Sequence, residues 1–166
     1  MLRLALLTAV LLCGCGHASA LQDGVLRKGE LVVRLGPVPA SWARVAVQGA
    51  DVSYRDSAGE GSALLDVRCQ VRDGDAPLAA LTSHLVMGTT EREVTSQQTL
   101  PFDGREALHT LMTAKLDGVP MRYDLYVMKK DGCVFDLVYV APPDRFAQGT
   151  AGFERFAAGL HGTSVP

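Results

Sequence analysis

Arg105–Phe146, REALHTLMTAKLDGVPMRYDLYVMKKDGCVFDLVYVAPPDRF, is the stretch whose reading decides the fold of this chain. Runs such as Met121, Tyr123, Leu125 and Val127 alternate with more polar residues, the period of an extended strand. They are interrupted at Asp117-Gly118 and Asp131-Gly132, residue pairs that accept the positive φ angles of tight hairpin turns. The stretch therefore predicts three consecutive antiparallel strands that run into a final helix. In the third strand, Cys133, Phe135, Leu137, Tyr139 and Ala141 point one way while Val134, Val138 and Val140 point the other. Asp136 is its only charged member, so both faces of the sheet read as buried. That requires cover on each side, an α+β fold in which helices pack on an antiparallel sheet as an α/β/α sandwich.

Working outward, Asp51–Arg55 and Arg44–Gln48 read as a hairpin around Gly49-Ala50, and Glu30–Leu35 as an earlier strand closed by Gly36-Pro37-Val38-Pro39. Ala63–Val71 is a strand with Ala63, Leu65, Val67, Cys69 and Val71 on its core face and Asp66, Arg68 and Gln70 on the other. A helix follows, with Asp75 placed to cap it, Pro77 in its first turn, Gly88 at its end, and Leu78, Leu81 and Leu85 as its buried stripe. Glu91–Leu100 is a polar strand suited to a sheet edge. Beyond Pro142-Pro143, Phe146, Phe153, Phe156, Ala157 and Leu160 recur at helical spacing. Gly149 and Gly152 weaken the first half of that helix and place its regular start near Thr150. Trp42, the only tryptophan, lies beside the Pro-rich turn and reads as a packed anchor rather than a ligand platform.

The N-terminus carries an export signal. Arg3 precedes an apolar run, Leu4–Leu12, too short to span a bilayer permanently. Leu12-Cys13-Gly14-Cys15 follows and resembles the bacterial lipobox, which implies a signal peptide over 1–14, lipidation of Cys15 and a tether over 15–28. Ala18-Ser19-Ala20 also fits a cleavage site that would release a soluble periplasmic protein. Cleavage before Cys15 leaves 152 of the 166 residues, read as one domain over 29–162. Three acyl chains suffice for stable attachment, and a tether of this length reaches roughly 20 Å. Gly16 rather than an acid after Cys15 points to the outer membrane, facing the periplasm. A net charge of −2 provides no basic face for nucleic acid.

Catalytic and metal chemistry find little support in the sequence. His17, His84, His109 and His161 are isolated, with no His-x-x-x-His or Cys-x-x-Cys spacing, so no metal, cofactor or catalytic residue is assigned. Ser57–Ser62 lacks the ending of a phosphate-binding loop. Asp136 is the exception among polar groups, because an acid in an apolar strand needs a partner, for which Arg68 and Arg122 are the candidates. With the signal removed and Cys15 acylated, Cys69 and Cys133 are the two remaining thiols. Both have apolar-face parity in an oxidising compartment, which predicts a disulfide; two buried free thiols are the alternative.

The order of elements, and the DGCVFDLVYVAPPDRF stretch leading into a helix with a Phe-x-x-Phe face, resemble the family that contains the photosystem accessory protein PsbP, the Ran-binding protein Mog1 and bacterial DcrB-type lipoproteins. The resemblance covers about Glu30–Gly162. It implies a non-enzymatic binding or assembly module, here for an envelope protein partner, and it carries over no partner-binding residue. The alternatives are a carrier of a small apolar ligand in a groove between sheet and helix, and an extracytoplasmic enzyme.

Overall fold

The computed structural model describes residues 20–69 and 75–164; residues 1–14, expected to be a signal peptide, and Cys15 lie outside the described residues. Eleven strands and two helices are present among them. A seven-stranded antiparallel sheet is built from β4 (Trp42–Val45), β5 (Val52–Asp56), β6 (Gly61–Cys69), β7 (Thr89–Phe102), β8 (Arg105–Leu116), β9 (Val119–Lys130) and β10 (Cys133–Ala141), in the order β4-β5-β6-β10-β9-β8-β7. The expected triplet is therefore β8-β9-β10, and its last strand sits at the centre of the sheet. Both hairpins close through the expected pairs, with φ of 50° and 82° at Asp117-Gly118 and 51° and 73° at Asp131-Gly132. Aspartate and glycine tolerate this left-handed backbone where other residues are strained. The polar strand is an edge, as its composition implies: β7 is exposed along most of its length.

A second sheet was not foreseen. β1 (Ala20–Gln22), β2 (Val25–Lys28), β3 (Leu31–Arg34) and β11 (His161–Ser164) form a four-stranded antiparallel sheet in the order β1-β2-β3-β11. Residues 20–28 are thus not the end of a tether but two strands, turned by Asp23-Gly24 with φ of 49° and 73°. Leu26, Leu31, Val33 and Leu35 are buried in the main core, which is why this segment folds back.

β10 has cover on both faces. On one side Phe135, Leu137 and Tyr139 pack with the small sheet and with α2 (Phe146–Ala158). Tyr139 is fully buried, stacked on Trp42 with ring centroids 5.8 Å apart and on Phe153 at 5.7 Å. Its hydroxyl donates to Asp56 at 2.9 Å, and Asp56 accepts the amides of Ala58 and Gly59 at 3.2 and 3.1 Å. Trp42 is accordingly a packed anchor. α2 begins at Phe146 instead of Thr150, whose hydroxyl donates to the Phe146 carbonyl at 3.0 Å. Gly149 does not weaken the helix; it lets the helix approach, because a Cβ there would lie 1.9 Å from the Tyr139 hydroxyl.

On the opposite face, α1 (Leu78–Leu85) packs Leu81 against Val127 and Val134, and Leu85 and Val86 against Tyr123 and Leu125. Asp75 does not cap it: Pro77 occupies the N-cap without a side-chain bond, and the helix stops at Leu85, before Gly88. No helix among the described residues is long and apolar enough to cross a membrane.

Two links hold the strands in place, one within the large sheet and one between the two sheets. Cys69 and Cys133 oppose each other across β6 and β10 and are joined as a disulfide. Closing a loop of 64 residues restricts the unfolded chain by about 4 kcal/mol in the loop-entropy treatment. The second link is Asp103, in the β7–β8 turn, which accepts Lys130 Nζ at 2.7 Å, the Gly162 amide at 2.9 Å and His161 Nδ1 at 2.5 Å. It joins the large sheet to β11.

Burial alone would raise the Asp103 carboxyl, but Lys130, the Gly162 amide and His161 together hold it below 3.8. A carboxyl depressed by folding contributes stability above its unfolded pKa and loses it as pH falls through its folded pKa. Asp103→Asn, which keeps the turn, should lower unfolding stability at pH 7 by about 2 kcal/mol. The gap to wild type should narrow below about pH 4. Denaturant unfolding at pH 7 and pH 3 checks this, and a gap independent of pH contradicts it.

Candidate functional site

α1 is eight residues long, about 12 Å, whereas seven strands span roughly 29 Å. The helix therefore covers only part of its face, and a strip over β6 and β10 is left to other elements. There the 47–50 loop and the residues after α1 close in from either side around a pocket of about 260 Å³. Its floor is Leu64 of β6 and Val138 and Val140 of β10, and Leu85 and Val86 form one wall. The volume lies just under the usual range of small-molecule sites, about 300 Å³ and upward.

Polar groups enter this apolar surface from three strands. Asp136 is 2% exposed and Tyr123 6% exposed, and both border the pocket with Asp66. Arg68 Nη2 donates to Asp136 Oδ2 at 2.5 Å, and Arg68 Nε lies 3.3 Å from Asp66 Oδ2. One guanidinium thus serves two carboxylates. Asp136 Oδ1 and Tyr123 Oη have no hydrogen-bond partner among the described residues, and they are two of three buried side-chain atoms in that condition. Leaving such a group unpaired costs about 1–3 kcal/mol each. The third, Arg122 Nε, is elsewhere: Arg122 pairs in register with Ala141 on the α2 face and lies 4.9 Å from the Phe146 ring centroid. Of the two partners expected for Asp136, the structure selects Arg68, and strand parity puts Arg122 on the wrong face.

Burial raises the Asp136 carboxyl, and Arg68 opposes the rise. Asp66 is raised by burial and then by Asp51, with Lys28 and Arg68 opposing and Asp136 adding to the rise. Burial also raises the Tyr123 phenol. Perturbed groups converging on one cleft are a mark of functional sites. Sequence reading identified Asp136 and Arg68 but missed Tyr123, which sits among apolar alternators; its hydroxyl was the available signal.

His17 lies outside the described residues, and the other three histidines occupy other places. His109 is on a sheet face as expected, on the α2 side, with Nε2 2.7 Å from Asp124 and its ring stacked on Tyr126 at 4.2 Å. Burial, then Asp124 and Glu154, push the Tyr126 phenol up to about 12. His84 is exposed on α1, and His161 bonds Asp103. The structure does not bring these histidines to the pocket.

Neither a protein-family model nor a curated protein matches the sequence. Solved structures do. Cyanobacterial PsbP (CyanoP) of Synechocystis superposes with a TM-score of 0.56 at 16% identity, over 89% of this chain and 95% of that one. The chain has the PsbP/Mog1 fold. The Saccharomyces cerevisiae Ran-binding protein Mog1p gives a TM-score of 0.57 at 12% identity, over 80% of this chain and 90% of that one. LpqN of Mycobacterium tuberculosis, described as involved in cell envelope biogenesis, gives 0.55 at 15% identity, over 80% and 84%. At these identities the PsbP/Mog1 likeness establishes the fold alone.

Arg68→Ala should leave Asp136 buried without its counter-charge. Because Arg68 is 42% exposed and water can partly replace it, the loss at pH 7 should be about 2 kcal/mol, below that of a fully buried pair. Asp136 then has a still higher folded pKa, so the defect should grow as pH rises from 4 to 7 and shrink on acidification. Thermal unfolding across that range measures it, and a defect that grows toward low pH contradicts the pairing.

Proposed function

We propose that the protein is a non-enzymatic binding or assembly module of the bacterial envelope. In this reading it is anchored by lipid on Cys15, faces the periplasm from the outer membrane, and docks an envelope protein partner. The observation that carries the proposal is an exposed apolar end of the large sheet. Leu116 and Val119 are cross-strand neighbours 42% and 55% exposed, and Met87, just before the strand that pairs with Leu116, is 64% exposed. Large apolar side chains gathered on a well-packed domain are the usual mark of a partner surface. The envelope setting draws support from the export signal and from the fold shared with LpqN.

Two measurements test it. Mass spectrometry of the mature N-terminal peptide should find acyl chains on Cys15, and a chain beginning at Leu21 contradicts the anchor. Cross-linking in intact cells should join the wild type to a defined envelope protein. A Met87→Asp/Val119→Asp double variant should lose that adduct while keeping its unfolding midpoint. Equal cross-linking by the double variant contradicts the docking surface.

A further inference from the structure

Apart from the proposed partner surface, the pocket under the 47–50 loop has a chemistry of its own. We infer that the pocket under the 47–50 loop binds a small elongated amine, with its ammonium at Asp136, its apolar chain over Leu64, Val138 and Val140, and a hydrogen-bonding group at its far end on Tyr123. This inference does not rest on the partner-module reading.

Charge comes first. Asp136 and Asp66 share one guanidinium, so the site has a surplus of one negative charge when both acids are ionised. Arg68 bonds only Asp136 Oδ2; among the described residues Oδ1 is an acceptor without a partner, in a residue 2% exposed. A carboxylate oxygen only accepts, so the matching group must donate, and the surplus negative charge favours a cationic donor over a neutral one. An anion is excluded by the same balance.

Shape comes second. Tyr123 stands opposite Val140 in the β9–β10 register, four positions along β10 from Asp136. At about 3.4 Å per residue the two polar ends are separated by roughly 14 Å along the strand. Between them on the same face lies Val138, with Leu64 opposite it on β6. The pocket thus presents an acidic end, an apolar middle and a phenol, and about 260 Å³ admits a short chain but not a diacyl lipid.

The test uses the mature, folded protein and defined probes in calorimetric titration at pH 7: n-octylamine, n-octanol, n-octanoate and 8-aminooctan-1-ol. Octylamine should bind at least tenfold more tightly than octanol, and octanoate should not bind. The amino alcohol should bind more tightly than octylamine, and Tyr123→Phe should remove that advantage. Asp136→Asn should weaken octylamine at least tenfold. Should that variant fail to fold, Ala50→Trp, which fills the mouth from a surface loop, should abolish binding of every probe while leaving the unfolding midpoint unchanged. Equal affinities for octylamine and octanol, binding untouched by Asp136→Asn or Ala50→Trp, or no binding of any probe at millimolar concentration each overturn the inference. Loss of the cross-linked partner in the Met87/Val119 double variant tests the other reading, since neither residue lines this pocket.

Discussion

The structure depends on β10 being covered on both faces. Phe135, Leu137 and Tyr139 on one side, and Val134 on the other, are 0–1% exposed, and β6 and β9 occupy its two edges. A strand in that position has no water for its backbone groups, so both neighbouring strands must satisfy them and two separate layers must close over its side chains. One layer is α2 with the small sheet; the other is α1. Their extent is unequal: α2 and the four strands of the small sheet cover one face, while an eight-residue helix leaves part of the other to a loop.

Asp136 sits where that second layer runs out. An acid at the middle of a central strand is costly to bury, and Arg68 supplies only part of what it needs. On the α2 side, by contrast, Asp56 accepts a tyrosine hydroxyl and two amides, and Asp103 accepts a lysine, a histidine and an amide. The difference between a saturated and an undersaturated carboxylate separates the scaffold of this molecule from its candidate site.

Much of this was legible in the residues. Asp117-Gly118 and Asp131-Gly132 announce the hairpins because left-handed turns demand such pairs, and the polarity of Glu91–Leu100 announces an edge. Asp23-Gly24, at the β1–β2 turn, has the same signature, within a short polar segment whose residues show no clear period. The closure of the small sheet has no comparable local mark: β11 pairs His161–Ser164 with Leu31–Arg34, a contact distant in sequence that no local pattern encodes. The start of α2 was misplaced because Gly149 was weighed by its helix propensity, while the Tyr139 hydroxyl, packed against it, is what requires a glycine there. The site was half legible. Asp136 stands out in an apolar strand and parity selects Arg68, but Tyr123 is masked by its own alternation, and the 47–50 loop reaches the pocket only through tertiary folding.

Native-state hydrogen exchange of backbone amides tests the central claim most directly, because it reads the stability of each strand separately. The account predicts that Phe135, Leu137 and Tyr139 of β10, with Leu65 of β6 and Leu125 of β9, exchange only through global unfolding and share one opening free energy. The amides of the edge strand β7 should exchange through smaller, local openings. If β10 exchanges through local openings as readily as β7, the doubly covered strand is not the centre on which the fold depends.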